Sequence, residues 1–209
     1  RTAHAAAEVS RGRSVRPTRL LIRSSRIGPN ALALPGGTLV LTDDLVRLVQ
    51  NDTEVLAGVL AHELGHVQHR HGMRMLVQVG VLGAVSSVVW GDYSGIMATV
   101  PVWLGQAHYS REAERESDAY SVAVLRDAGI SPGVMVTLFD RLELFRRCGR
   151  EVLQAPRTVP STPCGSQAPD KEPSEGPWGL GFASHPADAE RKAFFRAAAD
   201  GAGVEARQR

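Results

Sequence analysis

The sequence predicts an α+β fold that is mainly α-helical, with a small β-sheet beside one central helix. Apolar residues between Val55 and Val67 recur at intervals of three and four, which is the spacing of a buried helix face. Residues 38–42, TLVLT, instead alternate in the manner of a strand and follow the pair Gly36-Gly37, which is typical of a tight turn. With 209 residues and a hydrophobic content of 43%, the chain is long enough to bury one sizeable core.

Composition divides the chain into four segments. Residues 1–29 hold the basic cluster and are predicted to be an N-terminal extension, and residues 30–148 are predicted to be the core. Residues 149–183 carry six prolines with glycine and serine between them, which predicts a long loop. Residues 184–209 are predicted to end the chain as a helix.

The first helices follow the strand directly. Asp43 is predicted to begin a short helix that reaches about Gln50. Asn51 is then predicted to cap a longer helix, with Glu54 reaching back to it as in a capping box. The apolar periodicity continues far enough that this helix is expected to run to Gly72.

Apolar and helical segments make up the rest of the core. The apolar stretches 75–90 and 96–105 are shorter than the ~20 residues that a membrane-spanning helix needs, so they predict buried or interfacial helices. Helices are also predicted over 110–127 and over 131–148, and the last helix is expected to carry Pro186 in its first turn.

Charge and cysteine content narrow the classes of partner. The 24 basic and 22 acidic residues give a net charge of +2 and are interleaved, and no pattern of basic and aromatic residues suggests a nucleic-acid partner. Peripheral association with a membrane remains compatible with the basic N-terminal cluster. Cys148 and Cys164 flank the proline-rich segment, where they either close that loop as a disulfide or stay as two unrelated thiols.

The stretch HELGH, residues 62–66, has the spacing of a metal-binding helix. His62 and His66 are four residues apart, so a helix presents both imidazoles on one face, where they can bind a single Zn²⁺. Glu63 lies beside them in a good position to take a proton from a metal-activated water molecule. A catalytic zinc site normally has three protein ligands and one open position, so a third ligand must come from elsewhere.

A later helix is predicted to supply that third ligand. One known arrangement would need glycine three residues and histidine six residues after His66, but those positions hold His69 and Gly72. The stretch YSREAERESDAY instead offers Glu114 as the ligand, with Asp118 one helical turn later to hold the free ring nitrogen of a ligand histidine.

Other polar residues near these motifs compete for the same roles. Glu112 and Glu116 have the same spacing as Glu114 and Asp118 and compete for the ligand role, but the pair with an aspartate in the second position is the one we prefer. His69 and His71 do not share the face of the two predicted ligands, so we interpret them as surface residues or as residues that support a ligand.

These motifs resemble those of a known family, the gluzincin metallopeptidases that include the HtpX, BepA-type, Oma-type and CAAX prenyl proteases. The resemblance runs from about residue 30 to residue 191 through NALALPGGTLVLTDDLV, HELGHVQHRHG and SREAERESDAY. It implies a zincin-like fold, one zinc ion per chain, and hydrolysis of peptide bonds. It is strongest for soluble or peripheral bacterial members, which implies a bacterial cell-envelope location.

The resemblance also assigns roles to the stretch SHPADAER. A His-Pro with an arginine six residues after the histidine lies near the metal in that family, which corresponds here to His185 and Arg191. Both side chains could stabilise the oxyanion of a tetrahedral intermediate. In the BepA-like branch the corresponding histidine can instead occupy the open position of the metal and inhibit the enzyme. His185 could equally be a residue at the start of the last helix. With the active-site role, the resemblance implies that the helix 184–209 completes the active site. Because the loop 149–183 runs directly into His185, we expect this loop to lie over the cleft and to gate it.

The function predicted from these residues is a zinc-dependent endopeptidase that acts on extended or unfolded polypeptides in envelope quality control. The substrate is expected to add as a further strand to an exposed edge formed by Gly36, Gly37, Thr38, Leu39 and Val40, unless this strand is paired within the sheet. The main alternative is a zinc-bound chaperone or assembly factor whose metal is capped by His185. A prenyl-protein protease within the bilayer would need several spanning helices that the sequence lacks. The sequence does not predict an oligomeric state.

Overall fold

The computed structural model of the protein describes residues 19–24, 27–90, 110–154 and 189–206. Within these residues the chain forms three strands, six α-helices and one 3₁₀ helix. Most of the described residues are helical, which confirms the predicted α+β fold with a small sheet.

The sheet consists of β1 (Arg19–Arg23), β2 (Ala31–Leu34) and β3 (Thr38–Thr42). β3 lies in the centre, parallel to β1 and antiparallel to β2. Leu39 and Leu41 of β3 are buried, so one face of the sheet covers the core.

The strand order corrects the prediction about the edge of the sheet. The prediction that β3 offers an open edge to a substrate is wrong, because β1 and β2 hydrogen-bond to it from both sides. Thr38, Leu39 and Val40 therefore belong to a central strand. Gly36 and Gly37 form the turn between β2 and β3, with φ angles of 94° and 85° that favour glycine.

The sheet also begins earlier in the chain than predicted. β1 lies inside residues 1–29, the segment predicted to be an N-terminal extension.

Helix α1 (Asp43–Leu48) follows β3 without a loop, because Thr42 is both the last strand residue and the N-cap. The Thr42 hydroxyl accepts a hydrogen bond from the Leu45 backbone N–H. Asp44 is fully buried in α1, and Arg150 binds its carboxylate with two hydrogen bonds of 2.7 and 2.9 Å. This pair ties a distant part of the chain to α1.

The central helix is α2 (Thr53–Gln68). It is capped by Asp52 rather than by Asn51, because Asp52 Oδ1 accepts hydrogen bonds from the first-turn N–H groups while Asn51 has a φ of 57°. Nearly every side chain from Ala57 to His66 is buried, since α4, α5 and the sheet all pack against α2.

The helix predicted to continue to Gly72 is interrupted. α2 ends at Gln68, and Arg70 adopts a left-handed conformation with φ of 55° before α3 (His71–Trp90) begins. Within the described ranges, no helix has both the length and the apolar character that crossing a membrane requires.

Helices α4 (Arg111–Asp127) and α5 (Val134–Cys148) agree with the predicted positions to within a few residues. A 3₁₀ helix over Gly149–Gln154 then packs against α5 and α1, so the predicted loop begins with packed structure. Cys148 is disulfide-bonded, and the only other cysteine of the chain is Cys164, which lies outside the described residues.

Helix α6 (Ala189–Ala206) packs against α4 and α5. Its Phe195 is fully buried and contacts the Phe139 ring edge to face at 5.9 Å. Lys192 adds ion pairs to Asp140 and Glu143 of α5. These contacts hold the C-terminal helix against the helices that carry the candidate site. His185, Pro186 and the rest of 155–188 lie outside the described residues, so the predicted gate stays a prediction.

Candidate metal centre

Two glycines allow α2 to approach its neighbours closely. A Cβ atom on Gly65 would lie 2.8 Å from the Cα of Ser117, and one on Gly58 would lie 2.8 Å from the sulfur of Met135. The Ser121 hydroxyl of α4 also donates to the Gly58 carbonyl of α2 at 3.3 Å. α2 therefore lies near enough to α4 for short side chains on the two helices to meet.

His62 and His66 of α2 and Glu114 of α4 meet at this contact. Their side chains are all buried, and each offers one ligand atom within 4.8 Å of the others. The two Nε2 atoms lie 3.1 Å apart. Glu114 Oε2 lies 3.4 Å from His62 Nε2, and Glu114 Oε1 lies 3.4 Å from His66 Nε2.

These distances fit a zinc ion. Ligand atoms at about 2.0–2.1 Å from a tetrahedral zinc lie about 3.3 Å from one another. The measured separations of 3.1, 3.4 and 3.4 Å are close to that value. Two imidazoles and a carboxylate are also a ligand set that zinc enzymes use. These residues could therefore hold a metal ion with little rearrangement.

Asp118 and Arg191 contact the side chains of this cluster. Asp118 Oδ1 lies 2.9 Å from His62 Nδ1, the ring nitrogen that faces away from Glu114. Arg191 of α6 donates to both Asp118 oxygens at 2.7 Å, and its remaining nitrogen forms an ion pair with Glu114 Oε2 at 2.8 Å. Its guanidinium also lies 5.1 Å from the centre of the Phe139 ring. The three nitrogens of Arg191 are thus directed at the two carboxylates.

The buried carboxylates control protonation in this cluster. Burial lowers the pKa of the His62 imidazole, but hydrogen bonds with Asp118 and Glu114 outweigh burial and raise the pKa from 6.5 to about 9. Burial raises the pKa of Asp118, yet its hydrogen bonds with His62 and Arg191 bring that pKa below its usual value. The site therefore favours positive charge where the ligand atoms converge, and a divalent cation would supply that charge.

The remaining predicted residues occupy different environments. Glu63 is 2% exposed and directly follows His62 in α2. Glu112 is exposed on the outside of α4, and Glu116 forms a hydrogen bond with His71 at 2.9 Å. The structure thus brings Glu114, rather than either competitor, to the two imidazoles. His185 lies outside the described residues.

Sequence reasoning missed two features of this site. It gave Arg191 a role toward the reacting oxygen, whereas the structure directs Arg191 at Asp118 and Glu114. It also did not decide whether His71 is a surface residue or supports a ligand, and the burial of His71 against His66 agrees with the second interpretation. The position of His71 depends on the helix break at Arg70, which no helix-stop signal such as glycine or proline marks at that residue.

Comparison with known proteins agrees with this geometry. The model of peptidase family M48 matches residues 2–199. The chain is 31% identical over 126 residues to the β-barrel assembly-enhancing protease of Escherichia coli K12, which covers 54% of this chain and 26% of that protein. It is 30% identical over 120 residues to metalloprotease LoiP of the same strain, covering 54% and 47%. It is 28% identical over 140 residues to mitochondrial metalloendopeptidase OMA1 of Schizosaccharomyces pombe, covering 64% and 40%. The chain spans less than half of each relative.

Proposed function

The chain belongs to peptidase family M48 and is a metalloendopeptidase by that membership, and from this premise we propose that it is a zinc-dependent enzyme that cleaves unfolded polypeptides. The observation that carries the proposal is the buried convergence of His62, His66 and Glu114, with Glu63 next to the first ligand. A module that only binds its target would need no base beside the metal, so Glu63 favours the enzyme over a zinc-bound chaperone.

In this proposal His62 and His66 hold zinc through Nε2, and Glu114 holds it through its carboxylate. Zinc, when bound there, supplies Lewis acidity toward a carbonyl oxygen and makes water more acidic. Asp118 Oδ1 lies 2.9 Å from His62 Nδ1, so the neutral His62 ring would keep its proton on Nδ1. The proton on Nε2 would leave when the metal binds, and Nε2 would then be the ligand atom. Arg191 keeps Asp118 and Glu114 in place through two hydrogen bonds to Asp118 and an ion pair with Glu114.

Glu63 takes the proton from the attacking water and passes it to the leaving amine. Its position directly after a ligand histidine suits this role, because a carboxylate that accepts a proton must lie within reach of the water that the metal activates. The oxyanion role falls to His185 in this proposal, since the nitrogens of Arg191 already contact carboxylates. His185 as an inhibitory ligand of the metal is the alternative within the same proposal.

Extended or unfolded polypeptides in the bacterial cell envelope are the proposed substrates. The name of one relative, a β-barrel assembly-enhancing protease, supports this assignment. The segment 149–183 is proposed to gate the cleft. Its first six residues pack against the core, and Arg150 anchors them to Asp44, so the segment is held firmly where it starts.

The test is metal content together with casein hydrolysis for the wild type and for Glu63→Gln, with Glu112→Gln as the matched control. Glu112 is an exposed glutamate on the helix that carries Glu114, so its loss should change neither quantity. We expect about one zinc per chain in all three proteins and hydrolysis only in the wild type and the control.

The other outcomes are equally informative. A wild-type protein that binds no metal would contradict the proposal. Zinc in every protein without hydrolysis in any would point to a latent or holding protein. His185→Ala would then separate the two, because only a latent protease would gain activity.

A further inference from the structure

His71 is a buried histidine that the proposed mechanism leaves without a role. It is 5% exposed, although it is the first residue of α3. Its Nδ1 lies 2.9 Å from Nδ1 of His66, and its Nε2 lies 2.9 Å from Glu116 Oε2. It therefore connects a proposed zinc ligand with a carboxylate that is 38% exposed.

A break in the backbone brings His71 to this position. In one continuous helix, a residue five positions after His66 would point about 140° away from it around the helix axis. The left-handed conformation of Arg70, with φ of 55°, ends α2 and starts α3 in a new direction. The ring of His71 then lies edge to face against that of His66, with 5.0 Å between the ring centres.

The two hydrogen bonds that join Glu116, His71 and His66 can have only one direction of donation when both rings are neutral. An ionised Glu116 can only accept, so His71 Nε2 must donate to it. The neutral His71 ring then has an unprotonated Nδ1, which accepts from His66 Nδ1. His66 consequently has no proton on Nε2, the atom that lies 3.4 Å from Glu114 Oε1 in the candidate metal site.

His71 is placed to orient a ligand rather than to be one. Its nearest nitrogen faces Nδ1 of His66, on the far side of that ring from the atoms that converge with Glu114. Among the described residues, the cluster able to hold a metal consists of His62, His66 and Glu114 and does not include His71.

From this geometry we infer that His71 and Glu116 are a positioning pair that fixes the tautomer and orientation of His66 for zinc binding. The inference rests on the proposed zinc site. The pair is proposed to do for His66 what Asp118 and Arg191 do for His62. Each support includes a carboxylate of α4, and it is completed by His71 of α3 in one case and by Arg191 of α6 in the other. Partners of this kind typically contribute about 10–100-fold to metal affinity.

The experiment measures the zinc dissociation constant by competition with a chromogenic chelator, with circular dichroism as the check on folding. His71→Leu removes both hydrogen bonds, and we expect zinc affinity to fall by about 10–100-fold. His71→Asn keeps an amide oxygen near the position of Nδ1 that can accept from His66, although it does not reproduce Nε2, so it should retain more affinity than the leucine variant. Glu116→Ala should weaken zinc binding by less, because its carboxylate is partly solvated.

His69→Ala is the matched control. The His69 ring stacks on His71 at 5.5 Å and its Nδ1 lies 3.7 Å from Glu116, but the ring is 34% exposed and does not bridge to His66. The zinc affinity of this variant should equal that of the wild type. A direct signature is the His66 Nδ1–H proton in the NMR spectrum of the zinc-loaded protein, which should shift in His71→Asn and exchange rapidly with solvent in His71→Leu.

Several results would overturn the inference. Unchanged zinc affinity in a folded His71→Leu would do so, and so would an equal loss of affinity in His69→Ala. If His71→Leu does not fold, unchanged affinity in both His71→Asn and Glu116→Ala would refute it instead. A wild-type protein that binds no zinc would overturn the proposed metal site and this inference with it, whereas tight zinc binding in wild type and variants alike would overturn only the pair.

Discussion

At the scale of single residues, charge balance explains why this cluster suits a divalent cation. Glu63, Glu114 and Asp118 are three carboxylates, each no more than 3% exposed, and Arg191 is the cation paired with two of them. A buried charge is stable only when it is compensated. A divalent cation bound there would add two positive charges and, together with Arg191, would balance the three carboxylates. The raised pKa of His62 indicates the same demand for positive charge.

The first residue-scale prediction concerns Glu114. Replacing it with glutamine removes the one carboxylate ligand, so we expect zinc affinity to fall by at least about tenfold. Zinc retained after dialysis against a weak chelator is the measurement. Glu112→Gln, on the outside of the same helix, should retain zinc as the wild type does, and equal retention by both variants would show that Glu114 is not a ligand.

The second residue-scale prediction concerns Arg191. Arg191→Met leaves the buried carboxylates of Asp118 and Glu114 without their cation, and we expect a loss of about 3–5 kcal/mol in the free energy of unfolding. Urea denaturation measures this change. Arg196→Met, at an exposed position on the same helix, should change stability by less than about 0.5 kcal/mol. Similar effects of the two substitutions would contradict the role assigned to Arg191.

At the scale of elements, the site depends on how closely α2 and α4 approach. Gly65 lies between the two ligand histidines, and a side chain there would run into the backbone of Ser117. Backbone atoms cannot move aside as the end of a flexible side chain can, so the helices would have to separate. The glycine of HELGH is therefore required by packing between helices rather than by the chemistry of the metal.

The prediction at this scale compares two glycine substitutions. Gly65→Ala should destabilise the protein by about 1–3 kcal/mol through overpacking and should also weaken zinc binding, because Glu114 moves away with α4. Gly80→Ala is the control, since Gly80 lies in α3 with no atom within 4 Å of an added Cβ. That control should be neutral or more stable by about 0.5–1 kcal/mol. Thermal denaturation and zinc titration of both variants test the prediction.

At the scale of the whole molecule, the site joins parts of the chain that lie far apart in sequence. α2 supplies His62, Glu63 and His66, α4 supplies Glu114 and Asp118, and α6 supplies Arg191. The ion pairs of Lys192 with α5 and of Arg115 with Glu190 hold α6 in place at the surface. Zinc binding and the docking of these helices are therefore expected to be thermodynamically coupled.

The prediction at this scale is that zinc stabilises the folded chain. Free zinc at 100 times its dissociation constant should add about 2.7 kcal/mol to the free energy of unfolding, if the unfolded chain does not bind it. A strong chelator should lower the Tm of the wild type by the corresponding amount. Glu114→Gln should respond weakly to both treatments. A wild-type Tm that responds to neither zinc nor chelator would contradict the coupling.

The sequence by itself determined most of the elements and the residues of the candidate metal site. Periodicity predicted the central helix, the strand before it and the helices over 110–127 and 131–148, because burial of one face imposes a regular spacing on apolar residues. The spacing of His62, Glu63 and His66 predicted a metal-binding helix for the same kind of local reason. These are properties of one helix or strand, and a short stretch of sequence is sufficient to show them.

Only the tertiary structure decided relations between distant segments. It placed β1 beside β3 and so closed the predicted open edge, directed Arg191 at Asp118 and Glu114, and turned His71 back onto His66. None of these follows from periodicity, because each depends on where a second segment packs or on a single left-handed residue such as Arg70. Local patterns fix which side chains share a face, whereas long-range packing fixes which side chains they meet, and that packing is the sum of many weak contacts across the whole fold.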